Sequence, residues 1–228
     1  MKLTKPINWI FFDAGGVLLD ETQYEDQRLS LILQAVKIYD PKIVRPDVLA
    51  VRPKASARLG SLTANMLKLI LKNDKQVNKS LEFIKTNWDS GKSSFVRPEA
   101  QEIVKKLSEK YNLGLLANQP IATKEKLKQA GVLQYFKFQD VSEDFNLRKP
   151  DPKFFQAIFK ATGADPKKSA IIDDNIERGL LPAKKLNMTT VWFKLEDRDT
   201  PDNIDFTVSS LNELLKIVQL TVKGNTLE

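Results

Sequence analysis

The hydrophobic pattern begins with a short apolar run that predicts a buried strand. Residues 7–12 (INWIFF) are rich in β-branched and aromatic side chains, and Asp13 and the flexible Ala14-Gly15-Gly16 follow directly. A short apolar run bounded by turn residues is typical of a central strand in a parallel sheet. From residue 21 to residue 89, apolar positions instead recur every three or four residues, which predicts a stretch that is almost entirely helical.

Beyond Arg97-Pro98, short apolar runs alternate with amphipathic stretches. Strands are predicted at residues 113–117, 136–141, 170–172, 189–193 and 206–208, and helices at residues 98–111, 122–130, 152–162, 182–186 and 211–220. Strands that alternate with helices predict a parallel sheet covered by helices on both faces. We therefore predict an α/β fold, with a doubly wound, Rossmann-like core of residues 1–19 and 92–228 and an inserted all-helical lid of residues 20–91.

The composition excludes several classes of chemistry. The chain of 228 residues contains neither cysteine nor histidine. Disulfides, thiolate metal sites and cysteine nucleophiles are therefore excluded, as are histidine zinc sites and the Ser-His-Asp triad. Catalysis must depend on carboxylates, lysines, arginines, hydroxyls or backbone groups.

The charge pattern predicts an ordinary basic surface. The formal net charge is +7, but lysines are scattered along helical segments, as at Lys105-Lys106 and Lys184-Lys185. A nucleic-acid site would concentrate that charge or carry a recognisable motif. The sequence also lacks the ~20-residue apolar stretch of a membrane span and the layout of a signal peptide. We expect a cytoplasmic protein with no nucleic-acid and no membrane partner; the oligomeric state is left open.

Acidic side chains and one lysine are predicted to meet at one edge of the sheet. Asp13 follows the first strand, Asn118 follows the second, Asp173 and Asp174 follow the strand at 170–172, and Lys149 precedes the helix at 152. In doubly wound sheets, ligands bind beyond the carboxyl ends of the strands. Carboxylates that converge repel one another unless a cation neutralises them, and oxygen ligands without histidine or cysteine suit Mg²⁺.

Four segments, in order, resemble the motifs of the haloacid dehalogenase (HAD) superfamily: FFDAGGVLLD, LLANQ, LRKPDPKFF and AIIDDNIERGLLPAKKLNM. The resemblance covers nearly the whole chain, and the helical insertion resembles the helical cap of that family. It implies a Mg²⁺-dependent phosphatase that acts on a small phosphorylated metabolite through an aspartyl-phosphate intermediate.

The resemblance also implies roles for the candidate residues. Asp13 matches the nucleophile, which also binds the metal. Lys149 matches the lysine that neutralises the nucleophile and binds the transferring phosphoryl group. Asp174 matches an acidic Mg²⁺ ligand, and Asp173 stands where many members have glycine and others have a second aspartate. We expect both carboxylates to bind the metal.

Two further residues complete the site that the resemblance implies. Gly15 lies two residues after the nucleophile, where family members give a backbone carbonyl to the metal, and it is also expected to contact phosphate. Asn118 follows the usual hydroxyl position of the second motif and is expected to present its backbone or amide to phosphate oxygens.

The chain departs from the family pattern at several helper positions. Gly15 replaces the usual general acid, Ala117 replaces the usual phosphate-binding Ser or Thr, and Arg178 and Gly179 replace a further acidic or amide residue. Loss of general acid catalysis costs on the order of 10²–10⁴ in rate. Two alternatives therefore stay open: a catalytically depleted protein that binds a phosphorylated ligand or a partner, and a hydrolase of the dehalogenase or phosphonatase type.

Overall fold

The computed structural model describes residues 6–71, 73–89, 94–195 and 199–222, with only the backbone described at 218–222. The chain divides into two compact units, one of Met1–Asp20 and Phe95–Glu228 and one of Glu21–Ser94. The sequence-based boundary at 19/20 is one residue from the first division. The boundary at 91/92 lies outside the described residues.

Strands and helices alternate in the first unit, whereas the second is helical. Seven strands lie in the described part of the chain: β1 (Trp9–Phe12), β2 (Leu19–Asp20), β3 (Phe95–Val96), β4 (Asn112–Leu115), β5 (Ser169–Asp173), β6 (Thr189–Phe193) and β7 (Phe206–Val208). The α-helices are α1 (Thr22–Lys37), α2 (Arg45–Ala50), α3 (Arg52–Ser56), α4 (Leu62–Ile70), α5 (Asp74–Thr86), α6 (Ala100–Ser108), α7 (Ala122–Gln129), α8 (Ser142–Phe145), α9 (Pro152–Thr162), α10 (Leu181–Lys185) and α11 (Leu211–Val222).

The central sheet is parallel and has the strand order β4-β1-β5-β6-β7. The chain leaves β1 towards β4 and later returns to the other side of β1 as β5. This order is that of a doubly wound sheet whose switch point lies between β1 and β5, which confirms the predicted fold class. Strands β2 and β3 form a separate antiparallel pair.

The register of the sheet brings the ends of three strands level. Phe12 is paired with Leu115 on β4 and with Ile172 on β5. The residue after Phe12 therefore lies beside the end of β5, and the backbone N–H of Asp13 donates to the Ile172 carbonyl at 2.9 Å. The two acidic segments meet because of this register.

Both faces of the sheet are buried, which accounts for the continuous apolar run of β1. Phe12 packs into the cluster on one face with residues of α6, and Phe11 packs into the cluster on the other face with residues of α9. Successive strand residues point to opposite faces, so a strand between two helical layers needs apolar residues at every position.

The helical unit has a core of its own. Its buried residues recur at helical spacing in α1 and α4, and Ile32, Met66 and Leu67 are fully buried within one cluster. Side chains of the preceding residues cap two of its helices: Ser61 accepts from the Ala64 N–H and Asn73 from the Lys75 N–H. Among the helices that the structure describes, none has the length and hydropathy required to cross a membrane.

The strand predicted at 136–141 is wrong. Only an isolated bridge between Phe138 and Gly114 forms there. The N–H of Lys137 donates to the Leu113 carbonyl and the N–H of Leu115 to the Phe138 carbonyl, both at 2.9 Å, and the pairing ends there. The side-chain amide of Gln139 donates to the carbonyls of Leu133 and Phe136, both at 3.0 Å. The other predicted strands and helices are present, with ends that differ by no more than three residues.

Candidate active site

Asp13 is held in a compact turn at the end of β1. Its side chain is buried, and Oδ1 accepts a hydrogen bond from the Ala14 N–H at 2.8 Å. The N–H groups of Leu18 and Leu19 both donate to the Ala14 carbonyl, at 2.9 and 2.8 Å. The carboxylate is therefore fixed by the backbone that follows it.

Arg97 holds the same turn from a distant part of the chain. Its Nη2 donates to the Gly16 carbonyl and its Nε to the Val17 carbonyl, both at 3.0 Å, and its backbone N–H donates to the Leu18 carbonyl at 2.9 Å. Sequence reasoning missed this role. No local signal could have revealed it, because the contacts join positions about 80 residues apart.

Lys149 lies between two carboxylates. Its Nζ is 3.0 Å from Asp13 Oδ2 and 2.5 Å from Asp173 Oδ2, and the whole residue is only 1% exposed. Burial acts to lower the pKa of Lys149, but the attraction of the two carboxylates outweighs it, and the net shift is upward. The side chain is therefore held as an ammonium ion beside Asp13.

Asn118 fixes the backbone of Lys149. Its Nδ2 donates to the Lys149 carbonyl at 2.9 Å, and its Oδ1 accepts from the Lys149 N–H at 2.7 Å. The amide, which was expected to contact phosphate, thus bonds to the protein through both of its ends. The expected phosphate contact of Asn118 stays a prediction that falls to its backbone, because both ends of the amide are bonded to Lys149.

Asp173 and Asp174 lie at the end of β5. Asp173 is fully buried, and its Oδ1 accepts from the Asn175 N–H at 2.8 Å. Burial raises the pKa of Asp173 to about 6, because the loss of hydration outweighs the opposing attraction of Lys149. Asp174 is half-buried, and its backbone carbonyl accepts from Trp192 Nε1 at 3.1 Å.

The three aspartates form a set that fits a hard cation. Asp13, Asp173 and Asp174 each offer a carboxylate oxygen, and these atoms lie within 4.8 Å of one another. The ammonium of Lys149 neutralises only part of their charge, so a divalent cation would relieve the remaining repulsion. An all-oxygen donor set of this kind suits Mg²⁺.

The turn after Asp13 approaches Asp174 closely. Gly16 has φ +74°, and a Cβ placed on it would lie 2.6 Å from Asp174 Oδ2. Gly15, whose carbonyl is the expected metal ligand, is buried in this turn and forms a bridge with Leu19. The turn therefore brings backbone groups and three carboxylates to one place, while the role of the Gly15 carbonyl stays a prediction.

Comparison with known proteins decides the family. Residues 7–187 match the haloacid dehalogenase-like hydrolases, and this range contains all of the candidate site residues. The chain belongs to that family. The resemblance drawn from the four motifs is confirmed.

Relatives within the haloacid dehalogenase-like family include phosphatases. The chain is 34% identical over 98 residues to a glyceraldehyde 3-phosphate phosphatase from Methanocaldococcus jannaschii, covering 42% of this chain and 43% of that protein. It is 30% identical over 105 residues to a phosphoserine phosphatase from Thermus thermophilus, covering 45% of this chain and 42% of that protein. The matches thus span less than half the length of these relatives.

A solved structure supports the same fold. A HAD phosphatase from Thermococcus onnurineus has a TM-score of 0.61 to this chain, with 22% sequence identity, and the match covers 94% of this chain and 99% of that one. At this level of identity, the likeness concerns the fold of the haloacid dehalogenase-like family and not the substrate.

The structure also shows what surrounds the unusual helper positions of this family member. Ala117 is fully buried, and its carbonyl accepts from the Ser142 N–H at 3.0 Å. The Ser142 hydroxyl donates to the Gln119 carbonyl at 3.2 Å. Gly179 packs directly against the Asp173 carboxylate. Sequence reasoning treated Gly179 only as the loss of an acidic residue and missed this contact.

Proposed function

We propose that the protein is a Mg²⁺-dependent phosphatase that hydrolyses a small phosphorylated metabolite through a phosphorylated Asp13. The observation that carries the proposal is the contact of Lys149 Nζ with Asp13 Oδ2 at 3.0 Å, beside two further aspartates. Relatives that are named as phosphatases support the same activity.

The reaction proceeds in two displacements at phosphorus. A carboxylate oxygen of Asp13 attacks the phosphorus atom, the ester P–O bond breaks, and the leaving alkoxide takes a proton from water because Gly15 has no carboxyl group. A water molecule then attacks the phosphorus of the aspartyl-phosphate, breaks the bond to the Asp13 oxygen and releases inorganic phosphate. The Lys149 ammonium stabilises the negative charge of the phosphoryl oxygens in both steps.

The metal would be held by Asp13, Asp174 and the Gly15 carbonyl, with Asp173 as a further predicted ligand. When bound, Mg²⁺ supplies positive charge that screens the phosphoryl group from the carboxylates that approach it. The fit of the all-oxygen donor set supports this assignment.

The test is turnover of p-nitrophenyl phosphate, whose leaving group needs little protonation and so suits a site without a general acid. We expect activity that requires Mg²⁺ and is abolished by EDTA. Asp13→Asn should reduce kcat by several orders of magnitude, because the neutral amide is a poor nucleophile. Asp202→Asn, at an exposed carboxylate, is the matched control. Equal rates for wild type and Asp13→Asn would contradict the proposal.

Two features favour the alternative of a catalytically depleted protein that binds a phosphorylated ligand or partner. Ala117 offers no hydroxyl, and the Asn118 amide bonds to Lys149. Thermal stabilisation by phosphate esters without turnover over a broad substrate panel would favour this function. A dehalogenase would instead release chloride from 2-chloropropionate in the presence of EDTA.

Three further predictions from the sequence concern the protein outside its site. They are the cytoplasmic location, the lack of a nucleic-acid partner, and the role of the helical unit as a cap that selects the substrate. Cell fractionation, nucleic-acid retardation assays and exchange of the helical unit with that of a relative would test them.

A further inference from the structure

Arg178 brings a second positive charge close to Lys149. It lies in the short helical segment Ile176–Leu180, which follows the end of β5. The next residue, Gly179, packs directly against the carboxylate of Asp173. Oδ2 of that carboxylate lies 2.5 Å from Lys149 Nζ, so a single side chain separates the backbone beside Arg178 from the ammonium.

The guanidinium of Arg178 has no partner among the described residues. Its Nε is buried and donates no hydrogen bond. In the part of the chain that the structure describes, no carboxylate lies within ion-pair distance of it. The backbone is fixed, by contrast, because the Arg178 N–H donates to Asn175 Oδ1 at 2.8 Å. A buried donor without a partner costs free energy and calls for a functional explanation.

The charge of Arg178 acts directly on Lys149. Burial is the largest influence that lowers the pKa of Lys149, and repulsion by the Arg178 guanidinium acts in the same direction, although the two carboxylates beside the lysine raise its pKa overall. Two neighbouring cations repel each other, whereas an anion beside them is attracted by both. The pair therefore favours an anionic ligand.

The phosphoryl group is an anion for which this site otherwise has few donors. Ala117 has no hydroxyl to offer, and the Asn118 side chain is bonded to Lys149 through both ends of its amide. A guanidinium carries five N–H donors in a planar fork that matches two oxygens of a phosphoryl group. Arginine at position 178 would make up for the contacts that the side chains of residues 117 and 118 do not provide.

We propose that Arg178 is a catalytic residue that binds the phosphoryl group of the substrate together with Lys149, and that its charge opposes the binding of Mg²⁺. The catalytic part of this inference rests on the proposed function. Because phosphate and Mg²⁺ have opposite charges, removal of the guanidinium should weaken the binding of one and strengthen the binding of the other. A residue that only supports the fold would not act on the two ions in opposite directions.

Calorimetric titration with orthophosphate at saturating Mg²⁺ tests the anion contact. Arg178→Met keeps an unbranched side chain without charge or donors, and it should raise the dissociation constant of phosphate about tenfold or more. Arg178→Lys keeps the charge but loses the fork, so its effect should be smaller. A constant for Arg178→Met within about twofold of the wild-type value, or a wild type that does not bind phosphate, would overturn the proposal.

Lys185→Met is the matched control, because it removes the same charge from an exposed position in α10. Its phosphate affinity should equal that of the wild type. A loss as large as that of Arg178→Met would show that phosphate responds only to the net charge of the protein, and the assignment to Arg178 would be wrong.

The rise in melting temperature with Mg²⁺, measured without phosphate, tests the opposing charge. Arg178→Met should reach half of the maximal rise at a Mg²⁺ concentration at least about twofold lower than the wild type, because a cation has been removed from the surroundings of the three aspartates. Lys185→Met should need the wild-type concentration. An equal or higher concentration for Arg178→Met would overturn this half of the proposal.

Unfolding of the protein without ligands separates a binding role from a structural one. The urea midpoint of Arg178→Met should equal or exceed that of the wild type, because the change removes a buried donor without a partner and a charge that repels Lys149. A lower midpoint together with weaker phosphate binding would show that Arg178 supports the fold, and the binding role would be wrong.

Substrates of different charge decide which anion Arg178 binds. The phosphate of p-nitrophenyl phosphate is its only anionic group, so Arg178→Met should lower kcat/KM for it about tenfold or more. If only phosphate esters with an additional carboxylate were affected, the guanidinium would bind that carboxylate, and the assignment to the phosphoryl group would be wrong. If the wild type shows no turnover but Arg178→Met loses phosphate affinity, the proposed function fails while the anion contact is confirmed.

Discussion

At the scale of single residues, Gly16 meets two separate demands. Its φ of +74° lies in the left-handed region, and a Cβ there would be 2.6 Å from Asp174 Oδ2. Gly163 meets only the first demand, because its φ is +68° and nothing lies within 4 Å of its Cβ position. A substitution at Gly163 therefore measures the cost of backbone strain alone. A substitution at Gly16 measures that strain together with the clash against Asp174, a candidate metal ligand.

We expect Gly163→Ala to lower the free energy of unfolding by about 1–2 kcal/mol, the usual cost of a left-handed alanine. Gly16→Ala should lower it by more, because its methyl group also displaces Asp174, and it should weaken activation by Mg²⁺. Urea denaturation and Mg²⁺ titration of both variants measure these effects. Equal losses of stability, with unchanged Mg²⁺ activation, would show that the contact with Asp174 is unimportant.

At the scale of elements, Asp205 joins β6 to the segment that leads into β7. Its Oδ2 accepts from both the N–H and the hydroxyl of Thr190, each at 2.9 Å, and Lys184 Nζ lies 2.5 Å from its Oδ1. The carboxylate of Asp205 thus bonds to β6 at the position just before β7 begins, and it extends the hydrogen bonding between these two strands. Burial acts to raise the pKa of Asp205, but the bonds from Lys184 and Thr190 outweigh it and lower the pKa below its usual 3.8.

We expect Asp205→Asn to lower the free energy of unfolding by about 1–2 kcal/mol at pH 7, since charged hydrogen bonds are lost. Because the folded pKa is lower than the unfolded one, the contribution of Asp205 is fully present above the unfolded pKa. It is lost as the pH falls through the folded pKa. The difference from wild type should therefore shrink below pH 3.8. Urea denaturation at several pH values measures this difference in the free energy of unfolding, and Asp202→Asn, at an exposed carboxylate, is the control. A difference between wild type and Asp205→Asn that does not change with pH would refute this account.

At the scale of the whole molecule, a cation held by the three aspartates would link folding to cation binding. Mg²⁺ that binds only the folded chain should stabilise it by about 2.7 kcal/mol at 100 times its dissociation constant. The melting temperature should rise with Mg²⁺ and not with NaCl of equal ionic strength. Asp174→Asn should remove the rise, because it takes away a carboxylate at the cluster. An unchanged rise in this variant would place the ion elsewhere.

The sequence by itself determined the parts of the molecule that depend on near neighbours. The apolar run before Asp13, the proline at the start of α9 and the glycine after its end predicted a strand and a helix in the right places, because these signals act within a few residues. The order of the motifs also placed Asp13 and Asp174 at strand ends that a parallel sheet must bring to one edge, and Lys149 in the loop before α9. The strand predicted at 136–141 did not form, because its backbone pairing with β4 stops at Phe138.

Only the tertiary structure decided which residues hold the others of the site in position. The Asn118 amide holds the backbone of Lys149, Arg97 holds the turn after Asp13, and Gly179 makes room for the carboxylate of Asp173. The first two contacts join residues far apart in the chain, and the third depends on how the short helical segment Ile176–Leu180 packs against the end of β5. The distances in these contacts are set by strand register and side-chain packing. Neither can be read from the hydrophobic periodicity of the sequence, because both depend on residues that are distant in the chain.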